Sequence, residues 1–293
     1  MDSSTGNEGA DCMASSSSSS RLSRRGLLAG AALALISTRI SAQAVSNLAD
    51  IVERGTLRIA MPDIDSVPFF TRSQDDEHTG LDVEMARQIA AALQVTPSFV
   101  TTGNTFDEAV ELIATSQADL AICKLSRTLR RGRIILYSEP YAVLHHGLIA
   151  NRLRLAGISE GRSTNDVVRD FQGVLGIIAH SSFVEYAPQT FPRARLREFS
   201  DWNSMIDAVR AGSIDMAYRD DFEIKKLLVD DPSLTVVARS ITLTDKTDTI
   251  AIGVRPDAPH LVSFVNLFLD LARGGTTMKT DEIIDRYRAE KAA

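Results

Sequence analysis

Cysteine is nearly missing from this chain of 293 residues: Cys12 and Cys123 are the two present. A disulfide framework is excluded once the amino-terminal segment discussed below is removed, because Cys123 then stands alone. The fold must rest on its core, for which 44% hydrophobic residues suffice. Cys123 reads as a small buried hydrophobe, with no histidine in a recognisable partner motif for a catalytic thiol. Positive excess is missing too. A net charge of -6 and a pI near 5.4 exclude the basic face that nucleic acid demands. No apolar run reaches the roughly 20 residues needed to span a bilayer. No nucleophile elbow, Gly-rich phosphate loop or zinc-helix pattern is present. His145 and His146 are neighbours in an expected strand, so they point to opposite faces and do not chelate together.

What the first 44 residues do contain is a leader. Residues 15–20 are a serine tract that buries no apolar surface. Ser23-Arg24-Arg25-Gly26-Leu27-Leu28 looks like a twin-arginine export motif, followed by a short apolar run over 27–36. Ala42-Gln43-Ala44 offers a small-x-small cleavage site, which predicts export to the periplasm and a mature chain from Val45. Cys12 precedes the apolar run, so it is no acylation site. Either Met1 or Met13 serves as a start.

The mature chain alternates strands and helices. Residues 56–61 read as a strand, and Gly80 to Met85 as the opening of a helix with Asp82 as its N-cap. Residues 95–100 are a second strand. Thr105-Phe106-Asp107-Glu108 is a capping box before a second helix. Residues 118–123 run into a third strand. This β-α-β-α-β order predicts a mostly parallel sheet flanked by helices. Strands follow at 141–150, 174–178, 214–218 and 250–254, and helices near 181, at 202–211 with Gly212 as C-cap, from 220, from 257 and over 280–289. The polar stretch 152–170 reads as a boundary. Phe106, Val110, Ile113 and Asp119-Leu120-Ala121 match Trp202, Ile206, Val209 and Asp215-Met216-Ala217 at one constant offset, a faint internal repeat.

The site is expected at the turn after the third strand, where open α/β sheets hold ligands. Lys124, Ser126, Thr128 and Arg131 supply donors there. Arg131 can grip a carboxylate through two parallel hydrogen bonds. The other arginines of the run, Arg127, Arg130 and Arg133, read as a solvated helix start.

Gly80-Leu81-Asp82-Val83-Glu84-Met85, with Ile89, Ala90 and Leu93, resembles the signature of family 3 solute-binding proteins, the periplasmic receptors of amino-acid ABC importers. The resemblance implies a type II Venus flytrap: a leader over 1–44, one lobe over 45–141 plus 250–293, and a second over 142–249. It implies a small polar or acidic amino acid, or a related carboxylate, held in a cleft that closes on it. No catalysis or cofactor is implied, and the partner is an ABC permease in the inner membrane docking a monomer. Carried over residue by residue, Arg131 and Ser126 hold the ligand carboxylate together with Ser181 and Ser182 at a helix start, and Asp220 takes its ammonium. Asp220 also reads as an N-cap. Ser66 replaces the family's usual aromatic lid, with Ser66-Val67-Pro68-Phe69 similar to the acidic-amino-acid subgroup, although Asp63 stands where that subgroup has a basic residue. Lys124 replaces a small residue. It either selects an anionic side chain or pairs with Asp63 or Asp220 and occludes the pocket. Trp202 either stacks on ligand or packs in the core. Two other classes fit the same fold: a sensor for a membrane signalling partner, and a dehydratase using Lys124 with Asp220 or Glu185.

Overall fold

The computed structural model describes residues 46–292, positions 74 and 76 excepted. The expected leader, its twin-arginine motif and its cleavage point lie outside the described residues.

The chain runs α1 (Ser46–Arg54), β1 (Thr56–Met61), β2 (Thr71–Arg72), β3 (His78–Thr79), α2 (Leu81–Ala92), β4 (Thr96–Thr101), α3 (Phe106–Ala114), β5 (Leu120–Ala121) and α4 (Leu129–Gly132). The long strand β6 (Leu136–Asn151) leads to α5 (Arg152–Ser159), α6 (Thr164–Arg169), β7 (Val174–Ile178), α7 (Phe183–Thr190), β8 (Arg195–Phe199), α8 (Trp202–Arg210) and β9 (Met216–Asp220). Then come α9 (Asp221–Asp230), α10 (Leu234–Val237), the long strand β10 (Ala238–Val254), α11 (Pro259–Arg273), β11 (Met278–Lys279) and α12 (Thr280–Ala292).

Among the described residues the main sheet has nine strands in the order β4-β1-β5-β10-β6-β9-β7-β8, with β11 beside β6. Its flanks β4-β1-β5 and β9-β7-β8 are parallel, as expected for strands joined through helices. Its centre is antiparallel, where β10 pairs with β6 from Ala238–Asn151 to Val254–Leu136. Buried side chains gather in three clusters. One draws on residues 51–144, Phe222 and 250–287. The other two flank the opposite end of the sheet and draw on residues 148–238. β6 and β10 run through both regions.

Local chemistry explains the element starts. Thr105 accepts from the Glu108 backbone while Glu108 reaches back to the Thr105 N–H, so the expected capping box forms. The start of α2 departs from expectation. Gly80, not Asp82, is the N-cap. A Cβ at position 80 would lie 2.5 Å from the Phe69 carbonyl oxygen, and φ there is +119°, so glycine is required. Asp82 is thereby turned inward and buried.

The stretch 152–170 is not a bare boundary. Asn151 and Ser163 cap two short helices, which bury Leu155 and Val167. β8 has no counterpart among the sequence expectations, because Arg195, Leu196, Arg197 and Glu198 are exposed and carry no clean alternation.

The internal repeat has a physical content. Asp119 and Asp215 are both buried. Asp119 accepts from the Arg58 backbone N–H at 2.9 Å, and Asp215 from the Val174 N–H at 2.7 Å. Each therefore ties the strand after its helix to the start of the parallel strand beside it. Each is balanced by arginine: Asp119 by Arg54 and Arg58, Asp215 by Arg154.

Candidate functional site

β5 ends against β1, and the chain then turns at Lys124, which holds the left-handed φ of 52°. Buried Asp82 pins this turn by accepting the Lys124 N–H at 2.6 Å. Beyond it, Leu125 and Arg127 pair with the β10 backbone, through Ala251 N–H to Leu125 at 3.0 Å and Arg127 N–H to Thr249 at 2.9 Å. That registers Ser126 beside Asp248, and the Ser126 hydroxyl donates to its carboxylate at 2.8 Å. Thr128 caps the short helix α4 and so fixes Arg131.

The Arg131 side chain is buried, with 3% of it exposed. Its Nε donates to Asp107 at 2.9 Å and its Nη1 to the Ser126 carbonyl at 3.2 Å. Nη2 is buried and meets no acceptor among the described residues. A buried guanidinium N–H group without an acceptor is costly and marks a place where an anion would be welcome.

Across the cavity from Arg131, the chain between β7 and α7 presents Ser181 and Ser182. The Ser181 hydroxyl donates to the Ile178 carbonyl at 2.6 Å, and that of Ser182 to Ser126 at 3.1 Å. Glu185 on α7 accepts the Leu129 and Arg130 backbone N–H groups at 3.0 and 3.1 Å. The Tyr186 hydroxyl lies 3.0 Å from the Arg127 carbonyl and 3.1 Å from Asp248, its single proton shared between these two acceptors. These bonds hold the two rims together.

Asp220 ends β9 and caps α9, accepting the Glu223 N–H at 3.0 Å. Its other oxygen lies 3.0 Å from the Lys124 ammonium, which also reaches Glu223 at 2.8 Å. Lys124 and Asp220 stand at the same offset in the repeat as Asp119 and Asp215, so equivalent turns of the two halves meet as an ion pair. The Lys124 ammonium sits over the rings of Phe69 and Phe222, at 5.5 and 5.2 Å from their centroids. Burial pulls its pKa down, but Asp220 and Glu223 outweigh this and hold it above the ordinary lysine value. Burial alone would raise Glu223, yet Lys124 and Arg219 hold it well below the carboxylate range. Asp248 behaves oppositely. Burial pushes it up to about 6, the hydroxyls of Ser126 and Tyr186 offsetting only part of the cost.

Lys124, Ser126, Arg131, Ser181, Ser182 and Asp220 line one cavity of about 30 Å³, with Phe106, Arg219 and Asp248. That is room for a water or two. Ser66 and Trp202 do not reach this cavity. They line an adjoining open groove of about 680 Å³, with Asp63, Asp65 and His180. Trp202 is half-buried against the core around Met205, and the Arg219 guanidinium lies 5.3 Å from its ring. Lys124 pairs with Asp220 and not with Asp63, whose partner is Arg72 at 3.3 Å. Cys123 is buried, and burial with the nearby Asp82 pushes its thiol far up, so it is no nucleophile.

Four participants escaped the sequence reading. Glu223 was signalled by its spacing, three residues after the capping Asp220. Asp107 was visible only as the interior of a capping box. Arg219 and Asp248 carried no signal, because strand pairing alone brings them to the cavity.

Residues 57–174 match the family model described as bacterial extracellular solute-binding proteins, family 3. The matched segment contains Arg131, Ser126 and Lys124, and the chain as a whole has the type II periplasmic-binding-protein fold. A crystal structure of an ancestral amino acid-binding protein, described as a precursor of cyclohexadienyl dehydratase, superposes with a TM-score of 0.62 at 21% identity, covering 82% of this chain and 99% of that one. The arginine-bound substrate-binding protein of an amino acid ABC transporter from Streptococcus pneumoniae gives 0.62 at 21% identity, covering 81% and 94%. A cyclohexadienyl dehydratase from Pseudomonas aeruginosa is 31% identical over 111 residues, 38% of this chain. The match spans 40% of that curated relative's length. No helix among the described residues is long and apolar enough to cross a membrane.

Proposed function

We propose that this protein is an exported solute-binding protein that captures a small carboxylate, an amino acid or a related acid, between two lobes and presents it to an ABC permease in the inner membrane. The observation that carries this reading is Arg131: a buried guanidinium with one nitrogen that meets no acceptor among the described residues, facing a cavity lined from both sides. The lobes are residues 45–141 with 250–293, and 142–249, joined through β6 and β10. Opening breaks the bonds of Glu185, Tyr186 and Ser182, and closure on a solute remakes them. A solute shifts this equilibrium only if it binds the closed form better, and contacts from both lobes supply that difference. The structural relatives, an ancestral amino acid-binding protein and an arginine-bound transporter subunit, support the same reading. Arg131→Ala tests it. The thermal stabilisation produced by a bound solute, which follows mass action, is expected to vanish. An undiminished shift in that variant refutes the assignment.

A dehydratase is the second reading, favoured by one observation: Asp248, with its pKa near 6, is a buried acid facing the cavity. The pair Lys124–Asp220 does not serve as acid and base, since each already neutralises the other. Release of water from a cyclohexadienyl acid by the purified protein, lost in Asp248→Asn, would establish this reading over the first.

A further inference from the structure

The deepest departure from an amino-acid site lies in what Asp220 already holds. In a zwitterion site a buried acid waits for the ligand ammonium, because an ammonium leaving water needs a counter-charge. Here that acid is taken. Lys124 lies 3.0 Å from Asp220 and 2.8 Å from Glu223, and its side chain is 4% exposed. Arg219 stands behind the same two carboxylates, at 3.8 and 4.0 Å. Two acids are thus met by two cations, and a third cation arriving from solution would find no match. Asp248 does not fill the gap. Its oxygens already accept from Ser126 and Tyr186. At the other end the need is for negative charge. Arg131 spends Nε on Asp107 and Nη1 on the Ser126 carbonyl, and leaves Nη2 without an acceptor among the described residues. The backbone corroborates a fixed role for Lys124. Its φ of 52° is strained for a lysine, and Asp82 holds the turn from inside the core.

We propose that the solute is a small organic acid without an α-ammonium group, such as a keto acid or a simple dicarboxylate, and that Lys124 permanently occupies the seat an amino acid's ammonium would use. This rests on the cleft-binding reading above and narrows its ligand class. Arg131 takes one carboxylate. The Lys124 ammonium, fixed by Asp220 and Glu223, turns its remaining donor capacity to a carbonyl, hydroxyl or second carboxylate of the same solute.

The test uses matched twins on the mature protein: pyruvate against L-alanine, succinate against L-aspartate, and 2-oxoglutarate against L-glutamate, each followed by thermal shift and calorimetry. At least one amine-free acid is expected to stabilise the protein while its amino-acid twin binds about tenfold more weakly or worse, the worth of one unmatched buried charge contact. An amino acid that binds as well as its twin overturns the inference. So does the absence of binding by all three amine-free acids. The Arg131→Ala variant separates this from the underlying reading: amine-free acids that still bind it show that the cleft assignment itself is wrong. In Lys124→Gly, a change the positive φ accommodates, the preference is expected to reverse toward the amino acid. A folded Lys124→Gly protein with the wild-type preference overturns the inference as well.

Discussion

Asp248 gives the sharpest quantitative prediction. It is 1% exposed and stands without a cation at hydrogen-bond distance among the described residues. The groups around it are the Ser126 and Tyr186 hydroxyls, which donate to it, the Asp220 carboxylate, which repels its charge, and the Lys124 ammonium, which attracts it. Burial dominates and raises it from the ordinary 3.8 to about 6. A raised folded-state pKa means that the native protein binds this proton more tightly than the unfolded chain. The associated stability is fully present below about pH 4 and is lost as the pH climbs through 6. Each unit is worth about 1.4 kcal/mol, so ionising Asp248 costs the native state about 3 kcal/mol at neutral pH. Asp248→Asn removes that penalty while keeping shape and one accepting oxygen. Urea unfolding of both proteins at pH 4 and at pH 7 measures it. The variant is expected to gain on the wild type between the two pH values by up to about 3 kcal/mol, less whatever the altered hydrogen bonds to Ser126 and Tyr186 cost. A stability difference that stays constant from pH 4 to pH 7 refutes the claim that a buried ionised carboxylate strains this cleft.

Other expectations follow from the same contacts. Gly80→Ala drives a Cβ into the Phe69 carbonyl and should cost several kcal/mol, roughly 3 or more, read as a large fall in Tm; a change within a degree would show that the loop yields freely. Asp119→Ala leaves Arg58 and Arg255 facing a buried void and should cost about 3 kcal/mol; a neutral result in urea unfolding would deny the strand-tying role of both repeat aspartates. Glu185→Ala removes the acceptor for two α4 N–H groups, so small-angle scattering of the solute-free protein should show a larger radius than wild type, and an identical curve would place the closing force elsewhere.

How much was legible beforehand depends on which residues are compared. The strand Thr56–Met61, the capping box at Thr105 and the cap at Asp220 were readable, because each is a short-range pattern whose partners lie within four residues. The helix-strand repeat was readable too, since its aspartates recur at a fixed offset. Asp82 was misread. Its acidic side chain at a helix start suggested a cap, but the close approach of Phe69 makes Gly80 the cap and sends Asp82 to the Lys124 N–H, 42 positions on. Asp248 and Arg219 were invisible because their neighbours are set by the register of β10 and β9 against β6, which no local pattern encodes. Lys124 stood out in the sequence, but whether it met Asp63, Asp220 or a solute depended on which turn lay across the cleft.

The pairing of β6 with β10 has a mechanical consequence. These strands are hydrogen-bonded to each other over most of their length, with shifts in register between Leu243 and Thr247, between Ile250 and Ala251, and between Ala251 and Gly253. They therefore act as one ribbon rather than as two independent tethers. A ribbon bends readily across its face and resists shear along its edge, because shear breaks the ladder while bending does not. Bending of this ribbon is therefore the soft direction between the buried clusters at its two ends, and sliding along its edge is the stiff one.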